Sequence, residues 1–117
     1  MPRLFALLMI LTTTALAGEI DRPAAVAALQ APDAVLIDVR TAPEYAMGAL
    51  PGALRIETGE LAERIASVAP DKHAPVVLYC RSGRRSSAAQ DLLQSLGYTQ
   101  VINAGGYAQL REQVPAR

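Results

Sequence analysis

Short apolar runs alternate with helix-patterned stretches along most of this sequence, and that alternation leaves few folds open. Val35-Leu36-Ile37-Asp38-Val39 is an apolar run ended by charge, the pattern of a strand buried on both faces. Val76-Val77-Leu78-Tyr79 is a second, set off by Pro75. Val101-Ile102 is a third, closed by Asn103-Ala104-Gly105-Gly106, and Ala53-Leu54-Arg55-Ile56 after Pro51-Gly52 is a fourth. Helical patterns fill the intervals. Residues 23–29 are alanine-rich, with Asp21 placed as an N-cap and Pro23 in the first turn. Leu61, Ile65 and Val68 recur at helical spacing, and Glu60 and Glu63 suit a first turn. Residues 86–96 set Ala89, Leu92, Leu93 and Leu96 on one face, and Gly97 stops them. Residues 107–114 read as a last short helix. Strands separated by helices need crossover connections, so the expected fold is α/β, a central parallel sheet of four to five strands with helices on both faces.

At 117 residues the chain has room for one such domain, and no repeat, low-complexity segment or linker divides it. The first stretch has a different look. Met1-Pro2-Arg3 gives a positive start, residues 4–11 are all apolar, three threonines follow, and Ala15-Leu16-Ala17 offers small residues for cleavage. This reads as a secretory signal peptide over residues 1–17, leaving a single domain at 18–117. A membrane anchor fits less well, because spanning a bilayer takes roughly 20 apolar residues, so no stable membrane anchoring is expected. Eleven basic residues balance eleven acidic ones. That excludes the strongly basic footprint of a non-specific nucleic-acid binder. One Cys and one His exclude a disulfide framework and argue against a Cys/His metal site.

In open parallel sheets, ligands sit beyond the carboxyl ends of the strands, which points to Asp38-Val39-Arg40, to Cys80 onward and to Asn103-Ala104-Gly105-Gly106. The chemistry concentrates at Cys80-Arg81-Ser82-Gly83-Arg84-Arg85-Ser86-Ser87, between an apolar strand and an amphipathic helix. Cys80 ends the strand, so its sulfur projects into the space before the helix. Gly83 permits a very tight turn. A loop curling round its own cysteine aims successive N–H groups at one point, the nest geometry that binds anions. The helix adds the positive end of its dipole, and Arg81, Arg84 and Arg85 add three permanent charges. Such surroundings lower a thiol pKa from about 8.5 toward roughly 3.5–7.5. The bland alternative makes Cys80 inert core and the arginines a solvated helix start. Cations at a helix N-terminus oppose its dipole, however, and three together need an anion to offset them.

Cys80-Arg81-Ser82-Gly83-Arg84-Arg85 resembles the C-x-x-G-x-R active loop of the rhodanese family, the thiosulfate sulfurtransferases. Leu36-Ile37-Asp38-Val39-Arg40, with Glu44-Tyr45, Gly48 and Pro51-Gly52-Ala53, resembles the family's first signature, and Asn103-Ala104-Gly105-Gly106 its C-terminal one. The match runs over residues 20–114 in the family's order. With a leader in front, the chain is most similar to the small periplasmic rhodaneses of the phage-shock type, which implies a periplasmic location. Two positions depart from the pattern: Ala49 stands where the family commonly has His, and Leu110 where an aromatic is common. The resemblance implies that the Cys80 thiolate takes the outer sulfur of thiosulfate as a persulfide. A thiophilic acceptor, either cyanide or a small-molecule or protein thiol, then receives it, with no metal or organic cofactor. Arg81, Ser82, Gly83, Arg84, Arg85 and Ser86 would bind the donor.

Asp38 and Arg40 are expected to pair as structural support beneath this loop, and Tyr79 and Tyr107 to be packing residues. His73 lies in a polar turn, where a role as general base is disfavoured. Two other readings remain. Phosphatases and arsenate reductases of the same fold place the loop arginine six positions after the cysteine, where this chain has Ser86. Non-catalytic modules of the family typically lack the cysteine.

Overall fold

The computed structural model describes residues 19–114; the leader expected at residues 1–17 and the boundary at residue 18 lie outside them. Strands β1 (Val35–Asp38), β2 (Leu54–Arg55), β3 (Val76–Cys80) and β4 (Val101–Gly106) form one parallel sheet in the order β2-β1-β3-β4. β1 and β3 are therefore central neighbours, and Asp38 lies beside Tyr79 in register. Ile20 adds a single parallel bridge to Asn103 at the β4 edge.

Alternate residues of β3 serve two cores. Val76, Leu78 and Cys80 pack with Leu61 and Ile65 of α3 (Thr58–Val68) and with Ala89 and Leu93 of α4 (Arg84–Ser95). Val77 and Tyr79 pack with Ala25 of α1 (Arg22–Ala28) and Leu110 of α5 (Tyr107–Gln113). The sheet thus carries helices on both faces, as the alternation requires. The long run of buried residues in β3 follows from burial on both sides.

Two features depart from the sequence reading. The strand read from Val101-Ile102, β4, does not close at Asn103 but runs on to Gly106. Its register with β3 slips by one residue, so that Leu78 pairs with Asn103 while Tyr79 pairs with Gly105 and Cys80 with Gly106. A bulge of this kind accommodates one extra residue, here Ala104, and Gly105 at φ +85° supplies the left-handed turn it needs. The second is a five-residue helix, α2 (Ala42–Ala46), closed by a reciprocal cap: the Thr41 hydroxyl accepts from Glu44 N, while Thr41 N donates to the Glu44 carboxylate. With Pro43 in its first turn, α2 is stabilised by its ends rather than by an apolar face.

Candidate active site

β3 delivers Cys80 to the carboxyl edge of the sheet, and three residues later α4 begins on Gly83 at φ +94°. Only glycine suits that angle, and only glycine suits the space. A Cβ on Gly83 would lie 2.7 Å from Ile20 Cδ1 and 3.2 Å from Gly105 Cα. A Cβ on Gly106 would lie 2.7 Å from the Arg81 carbonyl oxygen. The active loop and the β4 bulge are therefore pressed together backbone to backbone, and the side chains of Arg81 and Arg84 are left at the surface.

Within the loop the sulfur is the acceptor. Gly83 N donates to Cys80 Sγ at 2.9 Å, and the Ser86 hydroxyl lies 3.4 Å from it. Cys80 is fully buried, and that burial alone pushes its pKa up. Hydrogen bonds from the Ser86 hydroxyl and from the N–H groups of Ser86, Ser82 and Gly83 outweigh it and leave the thiol below its ordinary value. Several donors converge on one sulfur at a helix N-terminus, which favours a thiolate.

Ser86 is itself held from below. Its Oγ is 2.7 Å from Asn103 Oδ1 and 3.1 Å from the Gly83 carbonyl. Asn103, also fully buried, accepts from Gly105 N at 3.0 Å and donates to the Gly83 carbonyl at 3.2 Å. One amide side chain thus spans the bulge, the loop turn and the hydroxyl facing the sulfur. Sequence reasoning took Asn103 only as part of a motif; its position before a double glycine was the available signal.

The three arginines have different environments. Arg85 forms a two-pronged ion pair with Glu44 on α2, Nη1 at 2.7 Å and Nη2 at 3.0 Å. The side chains of Arg81 and Arg84 are exposed and show no ion pair or hydrogen bond among the described residues. Arg40 and Asp38 lie in one buried pair: Arg40 Nη2 reaches Asp38 Oδ2 at 2.7 Å, and Arg40 N reaches Oδ1 at 2.9 Å. Arg40 Nη2 also donates to the Gly48 carbonyl at 2.7 Å. The guanidinium lies over the rings of Tyr107, at 4.4 Å, and Tyr79, at 5.5 Å. The Tyr79 hydroxyl accepts from Leu50 N at 3.1 Å, and burial pushes its pKa well up. Both tyrosines pack, and they also cushion a cation. His73 sits away from Cys80, its ring 3.2 Å from Thr99 Oγ1.

A hollow of about 400 Å³, the mouth, opens beside Arg81 of the active loop, lined also by Arg40, Glu44, Gly48 and Tyr107 among others. Among the described residues no cluster of His, Cys, Asp and Glu could hold a metal ion. The arrangement suits a nucleophilic thiolate that accepts a sulfur or phosphorus centre from an anionic donor.

Known proteins resemble this chain in sequence and fold. The family model of the rhodanese-like domain matches residues 22–113. The thiosulfate sulfurtransferase PspE of Escherichia coli (strain K12) is 46% identical over 70 residues, covering 60% of this chain and 67% of that one. A solved structure described as a rhodanese with anions from E. coli superposes with a TM-score of 0.63 at 40% identity, covering 70% of this chain and 94% of that one. A human single-domain sulfurtransferase gives a TM-score of 0.68 at 31% identity over 85% of this chain and 99% of its own.

Proposed function

The chain belongs to the rhodanese-like domain family, and from that premise we propose that it is a thiosulfate sulfurtransferase with Cys80 as the nucleophile. The Cys80 thiolate attacks the outer sulfur of thiosulfate. The donor's S–S bond breaks, its electron pair leaves on sulfite, and a persulfide forms whose terminal sulfur carries the charge. Cyanide or a thiol, including a protein thiol, then attacks that terminal sulfur. The bond to Sγ breaks, and the electron pair returns to the Cys80 thiolate.

The observation that carries this reading is the placement of Cys80 Sγ at the N-terminus of α4, where Gly83 N donates to it at 2.9 Å and the Ser86 hydroxyl lies 3.4 Å away. Such donors stabilise the thiolate that attacks and that leaves again. Arg81 and Arg84, exposed at the rim, supply the positive field a dianionic donor needs, while Glu44 offsets the charge of Arg85. Arg40, held from beneath by Asp38, lines the mouth. The loop length favours sulfur over phosphate: Ser86 stands where the phosphatase-type relatives place their arginine, and its hydroxyl faces Sγ instead.

The apolar run at residues 4–11 behind Arg3, with Ala15-Leu16-Ala17 after it, supports export to the periplasm with cleavage after Ala17. Among the described residues no helix is long and apolar enough to cross a membrane.

Incubation with thiosulfate is expected to raise the protein's mass by one sulfur atom, and cyanide to remove that atom as thiocyanate. Cys80→Ser is expected to abolish both events while leaving the circular dichroism spectrum unchanged. Thiocyanate production by a folded Cys80→Ser protein overturns the assignment.

A further inference from the structure

Glu44 reaches the active loop from outside it. It lies 41 residues before Arg85 in sequence, yet its two oxygens take both Nη groups of that arginine, the fork-on-fork geometry of the stronger ion pairs. The same carboxylate accepts from Thr41 N at 3.1 Å and Thr41 Oγ1 at 2.9 Å, closing the cap of α2. Arg85 first, and then the Thr41 N–H, hold its pKa at about 2 against the opposing effect of burial. It is an anion throughout the range in which a protein of this kind works.

The pair stands between two concavities. Glu44 lines the mouth together with Arg81 and Gly48, whereas Arg85 lines a second hollow with Thr41, Glu57 and Thr58. Arg85 therefore has its charge answered by Glu44 at the rim, and its side chain forms part of a wall. Arg81 and Arg84 have no such answer among the described residues.

We infer that Glu44 is a positioning residue for sulfur transfer. It holds Arg85 as a strut between α2 and the active loop, which fixes the N–H groups around Cys80 and leaves recognition of the anionic donor to Arg81 and Arg84. This rests on the sulfurtransferase reading and adds a division of labour among its three arginines. A strut acts on the geometry of the step, so its loss lowers kcat. A donor-binding arginine acts on affinity, so its loss raises KM.

The test measures kcat and KM for thiosulfate, with cyanide as acceptor, in four folded variants. Glu44→Gln is expected to lower kcat by about ten- to a hundredfold, with KM changed by less than about twofold. Arg84→Gln is expected to do the reverse. Exchanging the charges, Glu44→Arg with Arg85→Glu, is expected to recover most of the kcat lost in Arg85→Glu alone, because a strut works in either polarity. If the exchange does not fold, Glu44→Gln against Arg84→Gln still decides the matter. A fall in KM for Glu44→Gln would mean that the freed Arg85 grips the donor, and would overturn the strut. So would a charge-exchanged protein that folds yet stays as slow as Arg85→Glu. A parent protein that takes up no sulfur from thiosulfate sinks the transferase reading itself, an outcome the mass measurement separates from failure of the strut.

Discussion

Arg40 on Asp38 and Arg85 on Glu44 are the same chemical fork in two settings, one sealed inside the protein and the other at its rim. The side chains of the first pair are 6% and 0% exposed, and those of the second 39% and 26%. Burial changes what the fork is for. Arg40 is tied to Asp38, to the Gly48 carbonyl and to two tyrosine rings, so it joins the end of β1 to the segment after α2 and to the start of α5. Its pKa is raised chiefly by the hydrogen bond to Asp38, although burial opposes this. Arg85 joins one loop to one short helix, with water on one side. The first fork is part of what the fold is. The second adjusts a geometry that the fold already has.

Breaking the inner fork should show the largest effect. Asp38→Ala leaves a guanidinium buried without its carboxylate, and removing one partner of a buried pair costs about 3–5 kcal/mol. In a domain of this size that lowers Tm by at least about 10 °C, readable in a thermal melt. A shift of only a few degrees would erase the distinction drawn between the two forks. The outer fork should behave differently. Glu44→Ala, which removes a solvent-screened pair and half of the α2 cap, is expected to cost no more than about 2 kcal/mol of stability, while still slowing sulfur transfer. Equal losses of stability from Asp38→Ala and Glu44→Ala would show that exposure does not separate their roles.

The smallest effect sharpens the comparison through pH. A carboxylate held at about 2 contributes stability that is present above its ordinary pKa and is lost only as pH falls through about 2. The outer fork is therefore intact from neutrality into mild acid. Cys80 also titrates below its ordinary value, so its thiolate is lost only as pH falls through that lowered pKa. Alkylation of Cys80 by iodoacetamide should thus stay fast below the pH at which a free thiol slows, and its decline in acid should follow a single titration. In Glu44→Gln the profile should keep that single-step shape. A second acid step in the parent that disappears in Glu44→Gln would place the titration of the fork inside the working range.

The sheet and both helical layers were legible because β1 and β3 are continuous apolar runs and because α3 and α4 carry an apolar stripe. The cysteine loop was legible because its residues are adjacent. What escaped was decided by distance or by brevity. The helix α2 has no apolar periodicity in five residues, although Thr41 and Glu44 spelled out its cap and Pro43 its first turn. The slip in register at Ala104 depends on how β4 lies against β3, and nothing local announces it. Glu44 with Arg85, and Asn103 with Ser86, are pairings across the fold. The sequence showed each residue in a motif but not the contact between them.

The slip between β3 and β4 also has a kinetic consequence. Cys80 faces Gly106, and the sulfur's cradle closes only where Gly83 meets Gly105. Parallel pairing joins segments far apart in the chain, and such contacts form late because loop closure must come first. In the unfolded chain Cys80 is an ordinary thiol near 8.5, mostly protonated at neutral pH. The reactive form of the thiol therefore depends on tertiary assembly. An unfolded chain carries a comparatively quiet sulfur, and the rise in Cys80 thiolate reactivity during refolding reports the assembly of the loop around it.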